Sequence, residues 1–302
     1  MSAPVRIPAL WQLRTRTLEL GARTLVMGVV NITPDSFSDG GAFLDAESAV
    51  ARCMQCIEEG ADLLDLGAES TRPGSYAVGE TPAVSASQEQ DRLLPVLEGV
   101  LRAHPDAIVS VDTYKAATAR VALQAGAEII NDVSGLLWDP AMAQLCADHK
   151  AGVVLMHTRG RPEEWRTQQQ LAPEAVLAMV RDGLAASLAL ATNSGIQRHA
   201  VVLDPGYGFG KRFGENFSLL KRQADLLAIG RPLLSGISRK SFLGHTLAPL
   251  YGGSSAPVDA RENASLAAMV AAILHGASIV RVHNVRPAVE AARIADAILA
   301  AG

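Results

Sequence analysis

Short apolar runs, each followed by an amphipathic segment of helical length, recur along nearly the whole chain, and few folds accept that alternation. The pattern predicts strands at 25–30, 63–66, 108–111, 129–130, 153–156, 201–203, 233–237 and 279–282. Helices follow at 46–59, 87–103, 115–125, 140–147, 173–192, 213–227, 264–274 and 288–300. Gly60, Gly126, Gly195 and Gly276 each close a helical pattern just before the next strand, where a left-handed C-terminal cap belongs. Eight strand-then-helix units in one domain predict an α/β fold, a (β/α)8 barrel over residues 24–302, with a doubly wound open sheet as the alternative. A chain of 302 residues, 49% of them hydrophobic, can bury one large core without a second domain. Residues 1–23 form a mixed lead containing Trp11, suited to cover one end of that core.

Nearly every strand runs out into a residue capable of chemistry: Asn31, Asp65 with Glu69, Asp112, Asn131 with Asp132, His157, Asp204, Ser238 with Lys240, and Arg281 with His283. Taken singly, each is equally a helix cap or a turn residue. In a barrel, however, the C-terminal strand ends converge on one mouth, so these residues would face one pocket. Carboxylates and carboxamides at Asp112, Asn131 and Asp204 can satisfy a planar heterocycle rich in N–H donors. Lys240, Arg281 and His283 suit phosphate oxygens or a ring carbonyl. The residues alone therefore suggest a ligand with a polar ring at one end and phosphate at the other. The first strand empties into a loop where Asp35 and Asp39 flank Ser36 and Ser38 around Phe37, a composition suited to closing over an anionic or metal-bound substrate.

Several classes are disfavoured. A net charge of -4 without a Lys/Arg run argues against nucleic acid or an anionic membrane as partner, and no transmembrane span or secretory segment is expected. The three cysteines, Cys53, Cys56 and Cys146, make no even disulfide set, and the first two sit inside a helix, as reduced thiols of a cytoplasmic protein would. The glycines from Gly206 to Gly210 fail the phosphate-loop spacing, with Arg212 where Ser or Thr is needed.

The segments 31–41 (NITPDSFSDGG), 69–74 (ESTRPG), 111–113 (VDT), 131–135 (NDVSG), 203–211 (LDPGYGFGK), 238–242 (SRKSF) and 281–283 (RVH) occur in one order over nearly the whole chain, which in this respect resembles the dihydropteroate synthase family of pterin-binding enzymes. The resemblance implies a transferase of folate biosynthesis that condenses 6-hydroxymethyl-7,8-dihydropterin diphosphate with 4-aminobenzoate, giving 7,8-dihydropteroate and diphosphate. Carried over by motif, it places Asp112, Asn131, Asp204 and Lys240 around the pterin, with Met156 against the ring. It places Asn31 at Mg2+, and Arg281 and His283 at the diphosphate, with the loops holding Asp35, Asp39, Thr71, Arg72 and Pro73 folding over them. Phe37, Pro73, Phe209, Lys240 and Ser241 would form the aminobenzoate site, which a sulfonamide should also occupy; Lys240, Asp204, Arg281 and His283 would carry the catalysis. A homodimer is implied as well.

The chain departs from the family pattern at Ala68, where Gly is usual, at Thr158 and Arg159 beside His157, and at Trp138 and Trp165. Arg159 and Arg161 read as solvated surface arginines in preference to a source of positive potential at the mouth. Two other classes share the barrel: pterin-dependent methyltransferases serving a corrinoid, and non-catalytic pterin binders. The first has no use for Phe37 or the 70–73 loop, and the second should have lost Lys240 or Arg281, yet all are present.

Overall fold

The computed structural model describes residues 6, 8–32, 41–69 and 84–301, with side chains in the first helix described from Ala46 onward. A hairpin of β1 (Ala9–Gln12) and β2 (Thr17–Leu20) precedes β3 (Leu25–Asn31), α1 (Gly41–Glu58), β4 (Leu63–Gly67) and α2 (Ala86–Ala103). There follow β5 (Val109–Asp112), α3 (Ala116–Gln124), β6 (Ile129–Asp132), α4 (Met142–Asp148), β7 (Gly152–Met156) and α5 (Pro173–Asn193). The chain finishes with β8 (Val201–Asp204), α6 (Phe213–Lys221), β9 (Leu233–Ser235), α7 (Ser241–Thr246), α8 (Glu262–Leu274), β10 (Ala277–Val282) and α9 (Val285–Ala300). Strands β3 to β10 pair in parallel in chain order, and β10 returns to β3, closing the barrel. The (β/α)8 expectation holds, and the open sheet is excluded by that closure. Gly60, Gly126, Gly195 and Gly276 have φ of 103, 115, 96 and 92°, the left-handed range their cap positions require.

Two departures from the sequence reading have visible causes. The segment expected as one helix from 213 to 227 ends at Lys221 and continues as a 3-10 turn over Gln223–Ile229. Gln223 is fully buried there, its amide donating to the carbonyls of Ala272 and His275 and its oxygen accepting from the Tyr207 and Ser235 hydroxyls. Helix α5 is long and apolar enough, by length and composition, to cross a membrane. Its Val176, Leu177, Val180, Leu184 and Leu188 are buried in the same core as the strands, which accounts for that apolarity as packing on the barrel.

The core has two layers. Strand residues facing outward pack beneath the helices, whereas Leu25, Met27, Leu63, Ile129, Val154, Val202, Leu234 and Ile279 fill the barrel interior together with Trp11, Leu13 and Leu20 of the hairpin. The hairpin thus plugs the N-terminal end of the barrel, and the Trp11 indole N–H donates to the Ala200 carbonyl at 2.9 Å. Successive strand residues alternate between faces, so counting by two from the interior residues reaches the opposite rim. From Met27 the count arrives at Asn31, from Leu63 at Asp65, from Ile129 at Asn131, from Val154 at Met156, from Val202 at Asp204, and from Ile279 at Arg281 and then His283. One periodicity therefore supplies both an apolar plug below and a polar mouth above.

Candidate active site

Asn31, Asp112, Phe209, Lys240, Ser241, Arg281 and His283 line one cavity of about 300 Å³ at the C-terminal mouth, together with Glu69, Ser238 and Arg261. These residues come from both ends of the chain and are brought together by barrel closure. Asp35, Phe37, Asp39, Thr71, Arg72 and Pro73 lie outside the described residues.

At the floor, the Arg281 guanidinium donates from Nε to Asp65 at 2.5 Å and from Nη2 to Asp112 at 2.7 Å. Asn131 donates to the same Asp65 oxygen at 3.1 Å. Burial opposes charge on Arg281, yet Asp65 and Asp112 outweigh it and hold the guanidinium above its ordinary range. Burial also pushes the Asp112 carboxyl up to about 7, against the pull of Arg281 and Lys240 and with the help of Asp65 and Glu89. Sequence reading assigned Arg281 to phosphate and Asp112 to the heterocycle; the geometry joins the two through one ion pair. Asp65, named only as a strand end, is the residue it overlooked. Its carboxylate is fully buried, with no partner for Oδ1 among the described residues, a position readable only once β3, β4, β5 and β10 are known to be neighbours.

Asp204 ends β8 beside Met156 in the β7–β8 register, and both are buried. Its Oδ1 accepts the Gly206 N–H at 2.7 Å. Burial raises its pKa, partly offset by that hydrogen bond and by Lys240, Arg281 and Lys211. Behind it, Lys211 donates to the carbonyls of Gly206 at 2.7 Å, His157 at 3.1 Å and Phe209 at 3.3 Å, tying the loop after β7 to the loop after β8. Desolvation brings its pKa down to about 7. His157, buried beside it, is held neutral by burial and by the Lys211 and Arg159 charges. The sequence singled out His157 as a strand-end residue, but its place is among these ties, behind the cavity wall.

On the opposite side the Lys240 ammonium sits 3.9 Å from the centroid of the Phe209 ring. Lys240 is set there by a strained turn, since Arg239 adopts φ 61°. That turn is clamped from α8 and the segment before it: Ser265 Oγ accepts the Arg239 N–H at 2.9 Å, and Arg261 donates to the Arg239 carbonyl at 3.1 Å. Ser241 opens α7, a helix only six residues long. His283 Nδ1 lies 2.9 Å from Ser238 Oγ, and its carbonyl accepts from Arg52 at 2.9 Å. Arg159 is no surface arginine: it donates to the Gln169 carbonyl at 2.8 Å and faces Glu215 at 3.8 Å, whereas Arg161 is exposed and lies over the Trp138 ring at 5.3 Å. The arrangement offers acceptors for a donor-rich ring at its floor, cations for an anionic group at one side, and an aromatic wall bearing an ammonium at the other.

Residues 27–283 match the family model described as pterin binding enzyme. The dihydropteroate synthase of Mycobacterium leprae is 44% identical over 277 residues, covering 92% of this chain and 94% of that protein. The solved structure of Xanthomonas albilineans dihydropteroate synthase with 4-aminobenzoic acid superimposes with a TM-score of 0.84 at 37% identity, covering 97% of this chain and 99% of that one. The Yersinia pestis dihydropteroate synthase in a sulfonamide drug complex gives 0.85 at 35% identity, over 97% and 100% of the two chains.

Proposed function

The chain belongs to the pterin-binding enzyme family, and on that premise we propose that it acts as a dihydropteroate synthase, joining 4-aminobenzoate to the methylene carbon of 6-hydroxymethyl-7,8-dihydropterin diphosphate with release of diphosphate. The observation that carries this reading is the single cavity in which Asp112, Arg281 and His283 meet Phe209, Lys240 and Ser241. Asp204, with one oxygen engaged by Gly206, turns its other acceptor to the pterin edge, and Asn131 and Asp112 complete the floor. Arg281 and His283 spread the charge of the departing diphosphate. The dihydropterin ring delocalises the positive charge left on its methylene, and an arylamine attacks there without a strong base, its surplus proton passing to solvent. Phe209, Lys240 and Ser241 receive the aminobenzoate; the motif resemblance alone assigns Phe37 and Pro73 to the same substrate and Asp35, Asp39, Thr71 and Arg72 to the diphosphate.

Among the described residues no group of three or more His, Cys, Asp or Glu could hold a metal. The lone carboxamide of Asn31 on the cavity wall fits Mg2+ that arrives with its substrate, because that ion keeps several waters and takes other ligands from phosphate. Bound there, it supplies charge neutralisation at the leaving group. Phe213 and Phe217 of α6 are both substantially exposed, with His245 of α7 against Phe213 and exposed Leu250 and Tyr251 just beyond. Such a patch supports a homodimer face. The buried thiols of Cys53, Cys56 and Cys146, all free, support a reducing, cytoplasmic setting. Incubation of the purified protein with both substrates and Mg2+ should give dihydropteroate and diphosphate in equal amounts; pterin diphosphate consumed at the same rate without the arylamine would overturn the reading.

A further inference from the structure

Outside the cavity, the loop after β7 carries Trp165, and nothing in the reaction calls for an indole there. A 3-10 turn at Pro162–Glu164 delivers it inward, so that it is 8% exposed in a loop whose neighbours are mostly exposed. Its indole N–H donates to the Gly160 carbonyl at 3.3 Å. Its ring meets that of Phe209 at 5.2 Å between centroids and 90°, the edge-to-face arrangement that the ring quadrupoles favour. The fit continues at the next residue. Gly210 has φ 69°, and a Cβ there would stand 3.0 Å from the indole Cδ1 and 2.7 Å from Arg159, so the backbone after Phe209 is pressed against the Trp165 loop. The Lys211 ties to the His157 and Phe209 carbonyls and a 3.4 Å bond from the Arg159 N–H to the Phe209 carbonyl hold the two loops in register.

Phe209 therefore makes two contacts at once: its ring meets Trp165 edge-to-face, and the Lys240 ammonium lies over it. A ring with only two side-chain torsions is fixed once one of its edges is held. We propose that Trp165 is a positioning residue for the arylamine end of the site, fixing the plane of the Phe209 ring. The inference rests on the assignment of Phe209, Lys240 and Ser241 to the aminobenzoate site. It predicts an effect on one substrate of two, because Trp165 does not line the cavity and the Asp65, Asp112, Asn131 and Arg281 floor is built by other strands.

The test is steady-state kinetics of Trp165→Leu and Trp165→Phe against both substrates, with tryptophan emission followed during aminobenzoate titration in the presence of diphosphate. In Trp165→Leu the KM for aminobenzoate should rise about 3- to 10-fold, the span of an edge-to-face aromatic pair, with kcat and the KM for the pterin diphosphate within about twofold of the parent. Trp165→Phe should recover most of that loss while removing the emission change that the parent shows. Equal rises in both KM values, a fall confined to kcat, or a Phe variant as impaired as the Leu variant would overturn the proposal. Should Trp165→Leu not fold, the Phe variant decides alone: an undiminished emission change means that Trp165 does not sense the site and the idea fails. A parent enzyme that forms no dihydropteroate would instead sink the functional assignment, so the two failures are distinct.

Discussion

Replacing Arg281 by Ala should impair stability as well as catalysis, and the pH dependence of that loss is the sharper observable. In the parent the guanidinium contacts Asp65, whose side chain is fully buried, and Asp112, whose side chain is 12% exposed. Removing one member of a buried ion cluster costs about 3–5 kcal/mol, since the remaining charge is left without compensation. For a domain of this size that corresponds to a fall in Tm on the order of 5–10 °C. Asp112 has a folded pKa of about 7, above its unfolded value of roughly 3.9, so the folded protein binds a proton that the unfolded chain releases across that window. Its contribution to stability therefore falls as pH rises from about 4 to 7. Arg281 restrains this shift, and without it the folded pKa climbs further and the penalty extends to higher pH. The variant's deficit relative to the parent should then be smaller near pH 5 than above pH 7, as read by thermal unfolding of both proteins across that range. A deficit that stays constant or shrinks with rising pH would refute the reasoning. Ligand binding adds a second reading: because Arg281 orients Asp112, the Ala variant should lose affinity for a phosphate-free pterin as well as for the diphosphate substrate, whereas His283→Ala should weaken only the latter.

Asp204→Asn should abolish productive pterin binding, by several kcal/mol, because the amide oxygen stays with the Gly206 N–H and the NH2 group then confronts the ligand's donors; near-normal affinity for a pterin analogue in calorimetry would contradict that orientation. A sulfonamide should compete with aminobenzoate and bind more tightly when Mg2+ and diphosphate are supplied; calorimetric affinity indifferent to diphosphate would count against assembly of the arylamine site by its partner ligand. Trp11→Ala should destabilise the fold by about 3–5 kcal/mol while leaving both KM values unchanged, since the indole packs among the apolar residues that fill the barrel interior and bonds to the Ala200 carbonyl ahead of β8; a change in either KM would show that the plug and the mouth are coupled.

The barrel was legible because its signals are local: each apolar run stops at a polar residue, and four helices end on a glycine with positive φ. The polar rim was legible for the same reason, as Asn31, Asp112 and Asp204 stand at strand ends and Asn131 within one residue of its strand's end. Their partnerships were not. That Arg281 lies between Asp65 and Asp112 depends on β10 returning beside β3, a contact more than 200 residues distant in sequence. Lys211 gave no periodic signal, being one lysine in a glycine-rich loop, and only the fold shows its amino group among three carbonyls. The hairpin was hidden for another reason. Strands of four residues with half-buried faces carry too little alternation to distinguish them from a lead, and their function as a plug appears only when Trp11 and Leu13 meet the interior residues of the barrel. Arg159 misled because a charged residue in a loop is usually solvated, whereas here Glu215 and the Gln169 carbonyl draw it inward.

The central claim is that the mouth of this barrel breaks the bond between the pterin methylene carbon and its oxygen and gives that carbon to an arylamine. Heavy oxygen placed in the bridge between the methylene and the first phosphorus follows that bond directly. Turnover with 4-aminobenzoate should leave the label entirely in the released diphosphate and the aminobenzoate nitrogen on the methylene, as mass spectrometry of both products would show. Label retained in a free hydroxymethyl pterin would mean cleavage at phosphorus, and would contradict the account.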